Sequence, residues 1–102
     1  MFVTIRMYRT PKPKLDIAGF VEERFIPSVK KNPEFRGWYI VDAGEDKLAS
    51  ITLFDRLETA LEANEKSEAY RMENDEMLAL LPNPPEIVVG EVMGWALPEG
   101  QD

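Results

Sequence analysis

The order of its regular segments constrains the fold of this chain more than any single motif does. Residues 2–9 alternate between apolar and polar side chains, as a strand does when its two faces meet different surroundings. The runs 35–42, 48–54 and 87–95 are rich in aromatic and β-branched residues, which also favours strands. Because only the turn-like segment 43–46 separates the second strand from the third, these two are predicted to form a hairpin.

Two helical segments complete the order. The first follows Asp16, a predicted N-cap, and Pro27 is expected to kink or end it because proline cannot donate the backbone hydrogen bond that a helix interior requires. The second is predicted over 57–81, where the proline-rich segment that begins at Pro82 stops it. The predicted order is therefore β-α-β-β-α-β.

This order predicts an α+β domain with a ferredoxin-like fold, in which a four-stranded antiparallel sheet carries both helices on one face. Residues 1–97 are expected to form this single domain, and residues 98–102 a short flexible C-terminal tail. The other face of the sheet, on which we expect Thr4 and Tyr8, is too apolar to remain in water. We therefore expect a homodimer, in which a second copy covers that face and the two sheets pair into a dimeric α+β barrel.

Composition excludes several classes of chemistry. The chain has no Cys and no His, so thiol nucleophiles, thiolate metal sites, histidine bases and the usual haem ligand are absent, and no metal or cofactor site is predicted. A net charge of −7 disfavours binding to the phosphate backbone of nucleic acid. Strand-like sequence begins almost at the first residue, and the apolar runs are too short to span a bilayer. We therefore expect a cytoplasmic protein with no nucleic-acid or membrane partner.

Several segments resemble dimeric α+β barrel proteins related to the antibiotic-biosynthesis monooxygenases. Residues 34–42 are similar to the second strand of these proteins, and residues 51–55 to their third strand and the start of the long helix. Residues 62–70 resemble that helix, and residues 82–92 resemble the closing loop and last strand. The likeness covers nearly the whole chain, and it consists of features of the fold more than of a catalytic motif.

The resemblance connects the chain to two kinds of activity. One branch of these proteins degrades haem and holds the iron with a histidine, which this chain lacks. The other oxidises aromatic compounds without a cofactor, using Asn, Trp, Tyr and Arg side chains around the substrate. The position of Asn64 on the long helix carries over from this branch, whereas Tyr70 stands where related sequences tend to have Trp. The resemblance thus implies a cofactor-independent monooxygenase that acts on a small aromatic or polyketide-like molecule.

Small and polar residues occupy the predicted inward face of the second helix, where a helix that only packed on a sheet would carry Leu, Ile or Val. We therefore expect a ligand pocket between this helix and the sheet. Asn64 is predicted to polarise a carbonyl or phenolate oxygen of the substrate, and Arg71 to stabilise the resulting anion. The predicted substrate-binding residues are Trp38, Ser67, Tyr70 and Asn74.

These assignments have alternatives. Asn64 and Arg71 could simply reach solvent at the edge of the helix. Trp38 and Tyr39 are adjacent on a strand and point to opposite faces, so they cannot both line one cavity. Glu91 is either a buried base or an exposed edge charge, depending on the register of the last strand. The alternative function is that of a non-catalytic dimeric barrel that binds a small ligand or is associated with stress.

Overall fold

A computed structural model describes residues 1–100 of the chain. Its strands are β1 (Phe2–Arg9), β2 (Phe35–Asp42), β3 (Lys47–Phe54) and β4 (Glu86–Glu91). Its helices are α1 (Lys14–Phe20), α2 (Ile26–Val29), α3 (Leu57–Glu73) and α4 (Asp75–Leu80), and a π-helical turn, Val21–Phe25, joins α1 to α2. No helix within these residues combines the length and hydrophobicity that crossing a membrane needs. The predicted tail, 98–102, lies partly outside the described residues.

Within residues 1–100 the strands form one four-stranded sheet in the order β2-β3-β1-β4, which places β1 and β3 at its centre. All of its strand pairs are antiparallel. The helices lie on one side of this sheet, which we call the covered face; the other side is the open face. The α+β, ferredoxin-like fold that the order of elements predicts is therefore confirmed.

The two faces of β1 are the reverse of those we predicted. Thr4, Arg6 and Tyr8 are buried beneath the helices, not on the open face. The Arg6 guanidinium finds hydrogen-bond acceptors on α3, so the polar side of the strand can be buried there without leaving its charge unpaired. The apolar side of the strand, with Ile5 beside Ile51 of β3, is consequently left on the open face.

The first helical segment begins at Lys14 instead of after Asp16, and Pro13 occupies the N-cap position. Pro27 does not end the segment. It lies in the first turn of α2, where a missing backbone N–H is tolerated, and the irregularity that we expected takes the form of the π-helical turn directly before it. Phe25 is the last residue of this turn and packs against the core.

The second helical segment consists of two helices, where we predicted one over 57–81. Asn74 adopts extended backbone angles, with φ −103° and ψ 113°, which ends α3 and starts α4. Its side-chain oxygen accepts a hydrogen bond from the backbone N–H of Met77 at 2.9 Å, as an N-cap residue does. The last strand also ends earlier than predicted, at Glu91, which is exposed.

The hydrophobic core lies towards one end of the covered face. It is built by buried side chains from β1, β3, α1, the π-helical turn, α2 and the region of α4, namely Tyr8, Ile17, Val21, Ile26, Leu48, Met77 and Leu81. The first two turns of α3 lie over the other end of this face, where β1 begins and β3 ends. Small side chains on that part of α3 leave the space in which a ligand site can form.

Candidate ligand-binding site

A cavity of about 490 Å³ lies between α3, the segment that joins α2 to β2, and the covered face of the sheet. This volume is within the range of roughly 300–1,000 Å³ that is typical of small-molecule pockets. Its wall combines apolar side chains and hydroxyl groups, among them Phe25, Val29, Phe54, Thr4, Thr52 and Ser67, with the charged side chains of Lys31, Glu34, Glu62 and Lys66. Such a lining suits a flat apolar molecule that carries a few polar substituents.

The inward face of α3 explains why this space is not filled. Ala60 is fully buried against the sheet, and Ala63 and Ser67 follow it on the same side of the helix. The side chains of Ala63 and Ser67 are too short to fill the space between the helix and the strands, so the cavity beneath this part of α3 remains. Small residues in the middle of this helix were the sequence feature from which we predicted a pocket.

A second, much smaller cavity of about 40 Å³ lies deeper, against the core. It is lined in part by Tyr8, Tyr70 and Arg71. Phe25 and Ser67 line both cavities and therefore lie between them. The ring of Phe25 packs against that of Tyr70, with 5.0 Å between the ring centroids.

Arg6 connects β1 to α3 through hydrogen bonds beneath the helix. Its Nε donates to the phenol oxygen of Tyr8 at 2.7 Å. Its Nη1 donates to the side-chain oxygen of Asn64, and its Nη2 donates to Oε1 of Glu68 at 3.0 Å. The Arg6 side chain is only 4% exposed, so these bonds lie in a poorly solvated region where each one is strengthened.

Arg71 binds the same carboxylate from the other side. Its Nε and Nη2 donate to the two oxygens of Glu68 at 2.8 and 3.1 Å, and its Nη1 donates to the backbone carbonyl of Leu81 at 2.9 Å. Glu68 thus lies between two buried guanidinium groups, and the trio of Arg6, Glu68 and Arg71 carries a net charge of +1. We call these three residues the charge cluster.

The charge cluster shifts the protonation equilibria around it. Hydrogen bonding to Arg71, followed by the charges of Arg71 and Arg6, lowers the pKa of Glu68 despite its partial burial. Burial raises the pKa of Tyr8, and the adjacent Arg6 guanidinium offsets only part of this effect. Tyr8 is therefore a neutral phenol near pH 7, able to donate a hydrogen bond into the smaller cavity that it lines.

The structure places three of the six predicted site residues, Ser67, Tyr70 and Arg71, around the smaller cavity. Asn64 lies on α3 and accepts a hydrogen bond from Arg6. It is half-buried and held by the sheet.

The other two predicted residues make contacts within the protein. The indole Nε1 of Trp38 donates to the hydroxyl of Ser50 at 3.1 Å, and Ser50 in turn lines the smaller cavity. Trp38 is on the covered face, whereas its neighbour Tyr39 is 61% exposed on the open face. Asn74 caps α4 through the bond described above.

Sequence reasoning missed the contribution of β1 to the site. Thr4, Arg6 and Tyr8 form the polar side of this strand, and all three are buried under α3. An arginine between two hydroxyl residues on the central strand was a usable signal, because such a strand rarely buries a charge without a partner. The spacing of Glu68 and Arg71, three residues apart on one helix, was a second signal.

Within residues 1–100, no three carboxylates lie close enough together to hold a metal ion.

Comparison with known proteins identifies the fold. No protein-family model and no curated protein sequence matches the chain. A monooxygenase from Streptomyces coelicolor, solved in complex with nanaomycin D, superposes with a TM-score of 0.72 at 14% identity, over 96% of this chain and 92% of that one. A protein of unknown function from Nitrosomonas europaea gives a TM-score of 0.67 at 22% identity, over 97% of this chain and 94% of that one.

An uncharacterized NIPSNAP domain protein from Burkholderia xenovorans gives a TM-score of 0.63 at 16% identity, over 96% of this chain and the whole of that one. The chain therefore shares the fold of a monooxygenase and of NIPSNAP proteins. The predicted resemblance to dimeric α+β barrel proteins is confirmed at the level of the fold.

Proposed function

We propose that this protein binds a small aromatic or polyketide-like molecule in the larger cavity beneath α3 and oxidises it as a cofactor-independent monooxygenase. The cavity itself carries this proposal. Its volume of about 490 Å³ and its lining, in which Phe, Val, Thr and Ser side chains are joined by two lysines and two glutamates, suit a flat, oxygenated ligand. Similarity in fold to a monooxygenase that binds nanaomycin D supports the same class of ligand.

The proposed reaction requires little from the protein. When the methylene group of a hydroxylated aromatic substrate becomes a carbonyl, one atom of O₂ enters the product and the other leaves as water. The methylene carbon supplies all four electrons that reduce O₂, and its two hydrogens end in the water, so neither a cofactor nor an external reductant is consumed. The protein must bind the substrate, favour its anionic form and orient the anion towards O₂.

In this proposal the charge cluster favours the anion. Its net charge of +1 lies in a poorly solvated region beside the smaller cavity, so it stabilises a phenolate or enolate oxygen placed there. Arg71 supplies charge directly next to this cavity. Asn64 borders neither cavity, and its side-chain oxygen holds the Arg6 guanidinium, so in this proposal it acts on the substrate oxygen through Arg6 and not by direct contact. Ser67, at the junction of the two cavities, contacts the substrate ring, and Tyr70 lines the smaller cavity in which the anionic oxygen is placed.

The proposal includes a homodimer formed through the open face. Ile5, Ile51 and Val88 lie side by side on this face, and Val88 is 59% exposed. Tyr39 pairs with Ile51 and extends the same apolar surface to the edge strand β2. Large exposed apolar surfaces mark interfaces, and a second copy that presents the same surface is the simplest partner.

Beyond β4, the exposed side chains of Met93, Trp95 and Leu97 add apolar surface that a dimer can also bury. On composition, we propose that the protein acts in the cytoplasm and has no nucleic-acid or membrane partner.

Turnover can be tested with a panel of hydroquinones and anthrones under O₂, without added cofactor. For the anthrones, whose methylene group becomes the carbonyl, we expect oxygen uptake and an equal molar yield of quinone. Arg71→Lys should lower kcat, because an ammonium group cannot reproduce the forked hydrogen bonds of the guanidinium. Arg9→Lys, which conserves an exposed ion pair with Asp46, is the matched control and should leave kcat unchanged. Equal rates for wild type and Arg71→Lys would contradict the role of Arg71.

One observation favours a second candidate, a non-catalytic ligand-binding protein. The Nε, Nη1 and Nη2 donors of Arg71 and the side-chain oxygen of Asn64 are already engaged in hydrogen bonds within the protein. Such groups can stabilise the fold without touching a substrate. Saturable binding of the same aromatic compounds with no oxygen uptake above the protein-free rate would decide for this candidate.

A further inference from the structure

Thr4 lies on the covered face near the start of β1. It lies on the central strand β1, directly opposite Thr52 of β3 on one side and Val89 of β4 on the other. The helix α3 passes above it, and its side chain lines the larger cavity. The residue is only 3% exposed, so bulk water does not reach it freely.

The hydroxyl oxygen of Thr4 is the buried side-chain polar atom without a hydrogen-bond partner among residues 1–100. Buried polar atoms are almost always bonded, because an unpaired one loses its hydration without compensation. Other buried threonines of this protein follow the rule. Thr10 donates to the carbonyl of Leu80 at 2.7 Å, and Thr59 donates to the carboxylate of Glu34 at 3.1 Å.

Thr4 lines the cavity and its hydroxyl is buried and unpaired, so rotation of the side chain to another staggered rotamer can present the hydroxyl to whatever fills the cavity. A threonine hydroxyl both donates and accepts, so it can bond a carbonyl oxygen or a phenol equally well. Around it, Phe25, Val29 and Phe54 offer contacts to an aromatic ring. A ring in this cavity that carries an oxygen over β1 satisfies Thr4, whereas a bare hydrocarbon of the same shape leaves it unpaired.

We propose that Thr4 determines the specificity of the site by hydrogen-bonding an oxygen substituent of the bound ring. The inference rests on the proposed use of this cavity for an aromatic ligand, and it adds the chemical feature by which that ligand is selected. The discrimination arises because a ligand with an oxygen at this place gains a hydrogen bond to Thr4, whereas a hydrocarbon gains none.

Two probes of nearly equal shape test the inference, 1-naphthol and naphthalene, with binding to the full chain measured by equilibrium dialysis. Thr4→Val keeps the shape of the side chain and removes the hydroxyl. It should weaken binding of 1-naphthol about fivefold, the value of one net hydrogen bond, and leave naphthalene unchanged. Thr4→Ser should retain most of the wild-type affinity for 1-naphthol. The two probes differ in hydration, so each probe's affinity is compared between wild type and variant, and the free energy of hydrating that probe then cancels.

Thr10→Val is the matched control, because it removes a hydroxyl that is bonded within the protein. It should leave both affinities unchanged and lower the free energy of unfolding. Thr4→Val, measured without ligand, should be as stable as wild type or more stable, since its hydroxyl has no partner to lose. If Thr4→Val does not fold, Thr4→Ala serves for the same comparison of probes.

The outcomes separate this inference from the proposed function. Equal affinity of wild type and Thr4→Val for 1-naphthol, with both probes bound, overturns the role of Thr4 and leaves the ligand site intact. A loss of stability in Thr4→Val as large as that in Thr10→Val also overturns it, because the hydroxyl would then be bonded within the fold. Binding of neither probe to wild type overturns the aromatic site itself, and this inference with it.

Discussion

The carboxylate of Glu68 is the single anion between two buried guanidinium groups, so its removal tests how the charge cluster stabilises the fold. Glu68→Gln preserves the size of the side chain and removes its charge. Arg6 and Arg71, each 4% exposed, would then face each other without a counter-ion. The charge repulsion and the lost hydrogen bonds should both destabilise the folded state.

The magnitude follows from the exposure of the three groups. Breaking a fully buried ion pair by removing one partner costs about 3–5 kcal/mol. The Glu68 side chain is 37% exposed, so water screens part of this interaction and lowers the cost. We expect a loss of about 2 kcal/mol in the free energy of unfolding, or a decrease in Tm of about 8–16 °C for a domain of this size.

The effect should depend on pH in one direction. The guanidinium groups lower the pKa of Glu68 in the folded state, so the unfolded chain takes up a proton on this residue more readily. The stability that its charge contributes is present above the unfolded-state pKa and is lost as the pH falls through the folded-state pKa. The difference in stability between wild type and Glu68→Gln should therefore shrink on acidification from about pH 7 to pH 3.

Urea denaturation at one fixed protein concentration measures this difference, because the stability of a dimer depends on its concentration. Glu65→Gln is the control, since Glu65 is exposed on the same helix. It should change the free energy of unfolding by less than about 0.5 kcal/mol. A loss in Glu68→Gln no larger than that of the control would refute the reasoning and show that Arg6 and Arg71 are stabilised without the carboxylate.

Three further predictions follow from the fold and the cavities. Asn74→Ala removes the cap of α4 and should lower the free energy of unfolding by about 1 kcal/mol, as measured in urea, whereas an unchanged value would mean that the cap contributes nothing. Ser67→Phe should fill the junction of the two cavities and abolish binding of aromatic probes while the circular dichroism spectrum stays that of wild type; retained binding would place the ligand elsewhere. Val88→Glu puts a charge on the open face and should convert a dimer into a monomer in sedimentation velocity, with Glu86→Gln, at an exposed position of the same strand, as the control that stays dimeric.

Local patterns were sufficient to predict the sheet. The bounds of β1 and β2 match the predicted runs, and β3 begins one residue earlier than expected, at Lys47. Alternation of apolar and polar residues indicates a strand directly, because successive side chains in a strand point to opposite sides. A high content of β-branched residues favours the same backbone conformation. The bounds of the helices were harder to predict from the sequence. The π-helical turn before Pro27 and the break at Asn74 each depend on one or two residues, and helical periodicity is largely preserved across both.

The candidate site divides in the same way. Small and polar residues such as Ser67 predicted a space beneath α3, because the side-chain size at an inward position is visible in the sequence. Alternation along β1 separated Thr4 and Arg6 from Ile5, but it could not tell which side the helices cover. That choice depends on acceptors far along the chain: Arg6 bonds Asn64, which is 58 residues away.

The amino-acid sequence by itself determined the order of the elements, and it excluded every mechanism that needs His or Cys. Only the tertiary structure decided that the polar side of β1 is buried, that Glu68 binds two arginines, and that Thr4 lines a cavity while its hydroxyl is left unpaired. The physical reason is that periodicity specifies which side chains share a face. Hydrogen bonding between segments far apart in the sequence specifies which other part of the protein packs on that face.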